Sequence, residues 1–382
     1  MSLIPGPPDW NVPWDALRRT CLGTLLSQME GVPQNPAYHG EGDVLTHTRL
    51  VCEVLAGLEE FHSLEARRRQ AVFLAALLHD AGKISCTRLE DERWISPRHA
   101  ATGSAMAREL LWLDCGWCGQ PQLQALRETV CTLIRYHSLP PHAIYEEDGR
   151  RRLLKAAADG TLLPDFTIEL LCLLAKADIL GRVCCDQEEL LEAVELCRAL
   201  AAEQECLAGP RGFPSRHAAF SYLSGRLDQP DCDLYDDTWG EVILLCGLPG
   251  TGKDTWISRN CPDLPMISLD AIRAELGISP VGPQKKVVDE ARSRARALLR
   301  NKRFFVWNAT SVTADLRRRQ VELFTDYHAS VRIVYLETEW AEERRRNAGR
   351  AAAVPESAIL RMLSRLTPPE QFEAHRVEWL CV

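Results

Sequence analysis

Two short segments of this 382-residue chain carry residue types that can do chemistry on phosphates. His79 and Asp80 follow the apolar stretch 72–78, where two adjacent buried ionisable side chains are costly unless they are paired or bind a metal. The loop from Gly247 to Lys253, with the sequence GLPGTGK, has the glycine spacing and the lysine of a phosphate-binding loop. The first segment predicts a metal site, and the second predicts a nucleotide site.

Further candidate metal ligands lie on predicted helices with apolar neighbours. They are His47, His99, His137 and Asp178. A single buried histidine is more often a core residue than a ligand, but several of them favour a metal centre. Histidine mixed with carboxylate suits manganese, iron, nickel, cobalt or zinc, and the sequence does not distinguish these ions. Lys83, one turn after Asp80, is either a substrate-phosphate contact or a solvated lysine at a helix end.

The phosphate-binding loop follows the apolar run 242–246 and precedes a predicted helix, which is the order that this motif requires. Its backbone N–H groups and the lysine would face the β- and γ-phosphates of ATP or another NTP. The predicted nucleotide contacts are Gly247, Gly250, Thr251, Gly252 and Lys253.

The residue after the lysine departs from the motif, since it is Asp254 where Ser or Thr is usual. An aspartate beside a triphosphate is repulsive unless a cation lies between them. We therefore expect Asp254 in the shell of the Mg²⁺ that accompanies the nucleotide, with Thr255 as the alternative.

An acceptor side is predicted by SLDAIR, at the end of the second expected strand. Asp270 is a candidate general base for a hydroxyl, and Arg273, one helical turn later, would hold a substrate phosphate. A simple helix-capping role for Asp270 is an open alternative. The segment 344–355, a basic helix end that leads into small residues and a proline, suits a mobile lid whose arginines neutralise charge on the transferred group.

Two domains are expected from the length and from the pattern of predicted elements. Residues 1–207 are predicted to form an all-α domain, with an almost wholly helical pattern from about residue 44 to 205. Residues 208–238 are predicted to be a connector with some helix, and residues 239–382 an α/β domain with a parallel sheet. The helices are expected near 44–58, 65–80, 99–113, 121–137, 164–181 and 186–207, with Gly82 ending the second of them, and the strands near 241–246, 265–269, 303–307 and 331–336.

Composition narrows the classes of function. A net charge of −8 argues against broad coating of nucleic acid but leaves room for a local basic groove. No run approaches the roughly 18 apolar residues that span a bilayer, and the N-terminus does not resemble a secretory signal, so we expect a cytoplasmic protein with reduced cysteines.

The segments GLPGTGKDT, SLDAIR, FVWNAT, ERRRNAGR and VPESAILRML resemble the bacterial polynucleotide 5′-kinase family over residues 239–382. The resemblance implies that Asp270 accepts the proton of a nucleic-acid 5′-hydroxyl and that Arg273 contacts the neighbouring phosphate. It also implies a lid arginine on the nucleotide phosphates, for which we favour Arg350 over Arg346.

Asn308 and Thr310 match a segment of that family at the edge of the sheet. A substrate contact and a structural turn are equal alternatives for both residues.

The order His47, His79-Asp80, His99, His137 and Asp178 resembles the HD-domain phosphohydrolase superfamily. The resemblance implies one metal held by His47, His79, Asp80 and Asp178, and a second held by His99 and His137, with Asp80 bridging. Two such ions would activate water and stabilise the leaving oxygen of a phosphoester. The same resemblance suggests His39 as a phosphate contact, and Arg88 and Arg98 as further candidates.

The fusion resembles bacterial bifunctional HD-domain phosphoesterase and polynucleotide 5′-kinase enzymes, which heal nucleic-acid ends. It implies removal of 2′,3′-cyclic phosphate, 2′-phosphate or 3′-phosphate ends, phosphorylation of 5′-hydroxyl ends, RNA or DNA as substrate, and a functional link to a ligase. Two alternatives stay open: a nucleotide phosphohydrolase fused to a small-molecule kinase, and a phosphate-loop sensor that regulates the HD half.

Overall fold

A computed structural model describes residues 3–279, 282–350 and 353–382. The chain divides into two compact units, Met1–Trp117 with Gln122–Gly212, and Cys118–Pro121 with Phe213–Val382. The predicted connector spans this division, because its residues from Phe213 onward belong to the second unit. Within the described residues, no helix has the length and apolar character needed to cross a membrane.

The first unit is helical, as predicted, apart from one small antiparallel hairpin. Its elements are α1 Trp14–Arg18, α2 Leu22–Met29, α3 Val44–Gly57, α4 Glu59–His62, α5 Ala66–Leu78, α6 Lys83–Cys86, β1 Arg88–Glu90, β2 Arg93–Ile95, α7 His99–Leu113, α8 Pro121–Tyr136, α9 Gly149–Ala158 and, after a 3₁₀ turn at Asp159–Thr161, α10 Ile168–Leu180 and α11 Gln187–Glu203. The hairpin β1–β2 was not predicted, because its strands are three residues long and largely exposed and so lack a clear apolar alternation.

Helices α3, α5 and α10 form the centre of the first unit. Asp43 caps α3 by accepting the N–H of Thr46, and Thr167 caps α10 by accepting the N–H of Leu170. Residues 71–78 of α5 are buried throughout, and most of α10 is buried as well. These two helices are therefore surrounded by packing partners and offer rigid ends on which ligands can be placed.

The second unit contains the predicted parallel sheet, with strand order β4-β5-β3-β6-β7. Its elements are α12 Arg216–Leu223, β3 Glu241–Cys246, α13 Lys253–Asn260, β4 Met266–Ser268, α14 Leu269–Leu276, α15 Lys285–Arg300, β5 Val306–Asn308, α16 Ala314–Thr325, β6 Ser330–Glu337, α17 Trp340–Ala348, α18 Glu356–Leu363, a 3₁₀ turn at Gln371–Glu373 and β7 Arg376–Cys381. Strand β7 was not predicted from the sequence. It lies at the edge of the sheet and is mostly only partly buried, so it lacks the continuous apolar run of the central strands.

The register of strands β3, β4 and β5 determines which residues meet at the carboxyl edge of the sheet. Asn308 at the end of β5 pairs with Leu245 of β3 and with Ser268 of β4. The carboxyl ends of the three strands therefore meet at one edge, where open α/β sheets bind their ligands. The apolar cluster of Ile243, Leu245, Val306 and their neighbours packs α13 against this part of the sheet.

Candidate metal centre and phosphate-binding site

The predicted metal ligands converge from different helices of the first unit. His47 lies on α3, His79 and Asp80 directly follow α5, His99 begins α7, His137 follows α8, and Asp178 lies near the end of α10. All are buried except His99, which is partly exposed. Residues scattered over more than 130 positions are thus brought to one point by packing of the helices.

The first group of ligand atoms surrounds one position. His47 Nε2 lies 3.0 Å from Asp178 Oδ1 and 3.3 Å from His79 Nε2. His79 Nε2 lies 3.3 Å from Asp80 Oδ2. Ligand atoms at about 2.0–2.2 Å from a common ion are separated by such distances, so these four residues fit a single divalent cation.

The second group lies on the other side of Asp80. His99 Nε2 is 3.4 Å from His137 Nε2 and 3.5 Å from Asp80 Oδ1. His99 and His137 can therefore form a further cation site with the Asp80 oxygen that the first group does not use. Asp80 is placed to bridge two ions.

Three of the four histidines have a hydrogen-bond acceptor at the other ring nitrogen, and the fourth, His47, has a carboxylate beside it. The Nδ1 atoms of His79, His99 and His137 lie 2.8, 2.9 and 2.7 Å from the carbonyl oxygens of Ala76, Ser96 and Ile134. His47 Nδ1 instead lies 2.8 Å from Glu41 Oε1 without the alignment of a hydrogen bond. An acceptor at Nδ1 fixes the tautomer that leaves the Nε2 lone pair free for a metal.

The pKa shifts in the centre favour ionised carboxylates and a neutral His137, which are the forms that bind a cation. Burial opposes ionisation of Asp80, but the charge of Lys83 and the neighbouring histidines outweigh it and hold the pKa of Asp80 well below its ordinary value. Asp178 is likewise buried, and Arg182 together with His47 keeps its pKa well below the usual range. Burial lowers the pKa of His137 to about 3, which keeps this imidazole neutral, as a metal ligand must be.

Lys83 is buried, with 8% of its surface exposed, so it is not the solvated helix-end lysine of the second interpretation. Its Nζ lies 2.7 Å from Asp80 Oδ2 and donates to Gln34 Oε1 at 2.6 Å. His39 lies beside it, with Nε2 3.4 Å from Lys83 Nζ. Both residues therefore border the ligand groups.

Two further residues of the centre were missed by the sequence analysis. Arg182 forms a two-point ion pair with Asp178, four residues earlier. Glu41 accepts the backbone N–H of Val183 at 2.8 Å and contacts the rings of His39 and His47. The four-residue spacing from Asp178 to Arg182 at a helix end was a detectable signal, whereas nothing local distinguishes Glu41.

Gly82 does not end α5, which stops at Leu78; it is the residue before α6, with an ordinary φ of −64°. A Cβ on Gly82 would lie 2.0 Å from the carbonyl oxygen of His99. Glycine is thus required here by the close approach of α7, which carries His99, and not by helix termination.

Arg88 is the first residue of the hairpin that precedes α7, and Arg98 lies between that hairpin and α7. Arg88 is exposed and pairs with Glu90 across 2.8 Å, which is a surface ion pair. Arg98 is exposed, adopts the left-handed conformation at φ +60° and immediately precedes His99. Arg98 is therefore closer in the chain to the ligand groups than Arg88 is.

In the second unit, the loop between β3 and α13 has the conformation of a phosphate cradle. Gly247, Gly250 and Gly252 all have positive φ values, of +140°, +91° and +84°, which explains the glycine at each position. Lys253 Nζ donates to the carbonyl oxygens of Gly247 and Leu248 at 2.9 and 2.8 Å. Burial lowers its pKa to about 8, although Asp254 acts in the opposite direction.

Asp254 is exposed at the start of α13, where its Oδ1 accepts from Asn308 Nδ2 at 2.6 Å. Thr255 is exposed on the same helix. Thr251 is buried and donates to the Leu248 carbonyl at 2.9 Å. Thr310 meets the loop through its backbone, because its carbonyl accepts the N–H of Gly247 at 3.0 Å.

Two of the residues predicted for the acceptor side, Arg273 and Arg350, contact Asp270. One oxygen of this carboxylate contacts Arg273 Nη1, and the other accepts from Arg350 Nη2 at 3.2 Å. Arg346 lies elsewhere, since its Nη1 is 3.3 Å from the position that a Cβ on Gly252 would take. The two candidate lid arginines thus lie at different places, Arg346 beside Gly252 of the phosphate loop and Arg350 beside Asp270. Residues 351 and 352 of the predicted lid segment 344–355 lie outside the part of the chain that the structure describes.

Glu343 of α17 was not predicted and has a special environment. The side chain is 0% exposed, and neither carboxylate oxygen has a hydrogen-bond partner among the described residues. Its Cγ lies 3.3 Å from the position of a Cβ on Gly250, so it packs against the phosphate loop. Burial raises the pKa of Glu343 to about 8.

Comparisons with known proteins agree with a division into two domains. Residues 44–180 match the HD domain family, and residues 242–369 match the AAA domain family. The Multifunctional CCA protein of Halorhodospira halophila is 45% identical over 65 residues, 16% of this chain and 14% of that protein. Heterogeneous nuclear ribonucleoprotein U-like protein 2 of Mus musculus is 28% identical over 149 residues, 34% of this chain and 20% of that protein.

This chain thus matches a fifth or less of the length of these relatives. HD domains are metal-dependent hydrolases, and a kinase-like phosphate-loop domain implies a nucleotide with Mg²⁺. The chain joins a helical HD domain to a kinase-like P-loop domain built on a five-stranded parallel sheet.

Proposed function

We propose that this protein heals nucleic-acid ends. The HD domain would remove 2′,3′-cyclic phosphate, 2′-phosphate or 3′-phosphate ends, and the P-loop domain would transfer the γ-phosphate of an NTP to a 5′-hydroxyl end. The predicted domains 1–207 and 239–382 would carry the two activities, on either side of the connector 208–238. The products, with 3′-hydroxyl and 5′-phosphate ends, are those that a ligase joins.

The observation that carries the choice of a polynucleotide is the exposure of the acceptor carboxylate. The side chain of Asp270 is 67% exposed although it is flanked by Arg273 and Arg350. A kinase for a small molecule encloses its acceptor in a pocket, whereas a polymer end needs an open one. Two arginines beside the base also suit an acceptor with a phosphate next to its hydroxyl.

In the HD domain, divalent ions would polarise the phosphoester and stabilise its leaving oxygen. The chain supplies the geometry: the four imidazoles offer Nε2 atoms, and Asp80 and Asp178 offer carboxylate oxygens. Lys83 adds a buried positive charge beside Asp80, where a phosphate group would lie.

In the P-loop domain, the phosphates of the nucleotide would replace the carbonyl oxygens that Lys253 contacts in this structure. Asp270 would accept the proton of the attacking 5′-hydroxyl, and Arg350 would offset the charge around it. The ribonucleoprotein name of one relative fits a nucleic-acid substrate for the third of the chain that it matches.

The test is an RNA with a 5′-hydroxyl and a 2′,3′-cyclic phosphate, incubated with ATP, Mg²⁺ and a panel of transition metals. Asp80→Ala should abolish only 3′-end processing, and Lys253→Ala only 5′-phosphorylation, so that each variant is the folding control for the other. Efficient phosphorylation of a nucleoside without transfer to the RNA would instead support a small-molecule kinase. If Asp270→Ala keeps nucleotide binding and the wild type transfers no phosphate to either acceptor, a sensor would be supported.

A further inference from the structure

Glu41 joins several parts of the metal centre through one carboxylate. Its side chain is 2% exposed, and Oε1 lies 2.8 Å from both His39 Nδ1 and His47 Nδ1. The second oxygen accepts the N–H of Val183 at 2.8 Å, in the segment that follows Arg182. Both oxygens of this buried carboxylate thus contact groups beside the candidate metal ligands: one lies between His39 and His47, and the other accepts the Val183 N–H.

His39, Glu41 and His47 have the composition of a third cation site. The position of His47 argues against that interpretation. Its Nε2 already faces His79 and Asp178, and a neutral imidazole has a single lone pair to offer. His47 can ligate a cation at Nε2 only if its Nδ1 carries the proton, and a carboxylate close to Nδ1 favours a proton there.

Glu41 Oε1 is a carboxylate oxygen beside that proton, 2.8 Å from His47 Nδ1, although the two atoms are not aligned as a hydrogen bond. The same oxygen accepts a hydrogen bond from His39 Nδ1 at 2.8 Å and so sets the tautomer of His39. With the His39 proton on Nδ1, its Nε2 is free to accept from Lys83 Nζ, which lies 3.4 Å away. Lys83 in turn contacts Asp80 Oδ2 at 2.7 Å. A chain of contacts therefore runs from Glu41 through His39 and Lys83 to the bridging carboxylate.

We infer that Glu41 is a positioning residue that fixes His47 as an Nε2 metal ligand and, through His39, orients Lys83 against Asp80. The inference rests on the proposed metal-dependent activity, and it changes the predicted role of His39, whose Nε2 is directed at Lys83. Outer partners of this kind typically change metal affinity by about 10- to 100-fold.

Glu41→Gln is the informative substitution, because an amide has a single acceptor oxygen. If that oxygen serves the two imidazoles, the NH₂ group opposes the Val183 N–H; if it serves Val183, the NH₂ group opposes the imidazole N–H groups. Asp43→Asn is the matched control, since Asp43 lies two residues away and caps α3 through Thr46.

Two measurements on the full chain decide the inference. Long-range ¹H–¹⁵N spectra of metal-free protein labelled at histidine report the tautomers, and Co²⁺ titration followed by its visible absorption reports affinity. We expect the Nδ1–H tautomer for His39 and His47 in the wild type and in Asp43→Asn. Glu41→Gln should shift both tautomers and weaken Co²⁺ binding by about 10- to 100-fold.

Unchanged tautomers and unchanged Co²⁺ affinity in Glu41→Gln would overturn the inference. If that variant does not fold, Glu41→Asp, which keeps the charge but shortens the reach, should give the same changes to a smaller degree. The proposed function fails separately: a wild type that shows these tautomers and binds Co²⁺ but leaves phosphate-ended RNA intact would refute the activity and leave the role of Glu41 standing.

Discussion

Asp80 Oδ1 lies 3.5 Å from His99 Nε2, on the side of the carboxylate opposite to the oxygen that faces His79. A carboxylate that gives one oxygen to each of two ligand groups is a common way to hold two cations about 3.5–4 Å apart. The two groups therefore share one negative charge. The consequences of losing Asp80 and of losing a histidine must differ.

Metal stoichiometry measures this difference. We expect the wild type to bind two Mn²⁺ ions per chain, His137→Ala to bind one, and Asp80→Ala to bind neither tightly. Isothermal titration calorimetry and elemental analysis after dialysis give the numbers. His142→Ala removes an exposed histidine of the same unit and should behave as the wild type. Retention of both ions by His137→Ala would contradict a second ion held by His99 and His137. Loss of only one ion in Asp80→Ala would contradict a carboxylate shared by both ions.

Asp254 occupies the position where the motif normally has a hydroxyl. Because Asn308 donates to its Oδ1, the other oxygen is available for the cation that accompanies the nucleotide. Asp254→Asn should raise the Mg²⁺ concentration required for phosphoryl transfer by about 10- to 100-fold, while Thr255→Val should have little effect. Initial rates against Mg²⁺ concentration decide between the two residues, and the reverse order would assign the cation to Thr255.

The two lid arginines should differ in which kinetic constant they control. Arg350 contacts Asp270, so Arg350→Ala should lower kcat by about 10²- to 10³-fold, as loss of a preorganised charge does. Arg346 lies by Gly252 at the phosphate loop, so Arg346→Ala should chiefly raise the KM for ATP. Arg345→Ala, which removes an exposed neighbour paired with Glu342, is the control. Identical effects of the two lid variants would contradict separate positions.

The sequence predicts those features of the fold and of the candidate sites that depend on residues close together in the chain, and it misses those that depend on contacts between distant residues. The helices that carry His47, His99 and Asp178 are confirmed to within a few residues, because apolar periodicity is a local signal. Glu41 escaped prediction because its role comes from partners 6 and 142 residues away. Arg346 and Arg350 could not be separated by pattern, since only folding brings one to Gly252 and the other to Asp270.

Glu343 makes a prediction about pH. Its folded pKa is raised from 4.5 to about 8, so the folded state holds a proton that the unfolded state releases between these values. Stability from this group is present below pH 4.5 and is lost as pH rises toward 8, with a slope of at most about 1.4 kcal/mol per pH unit.

Glu343→Gln cannot titrate, so its melting temperature should fall less than that of the wild type between pH 6 and 8. Glu342→Gln is the matched control. The partly exposed Glu342 has a pKa lowered to about 2 by Arg345 and Arg346, and it does not change its charge in this range. Calorimetric scans of all three proteins give the comparison, and parallel curves for wild type and Glu343→Gln would contradict a raised pKa.

Gly82 links helix packing to the second cation group. An alanine there would place its Cβ 2.0 Å from the His99 carbonyl oxygen and 2.6 Å from the Gly103 nitrogen, so α7 must move. Backbone shifts of this kind cost about 1–3 kcal/mol or more. Because His99 begins α7, Gly82→Ala should lower both the melting temperature and the affinity for the second ion.

Gly57→Ala is the control for a glycine-to-alanine change in the same unit. Nothing lies within 4 Å of the Cβ position at Gly57, so this variant should keep both ions. Full occupancy of both cation groups in Gly82→Ala would mean that α7 adjusts without moving His99, and that the glycine serves packing alone.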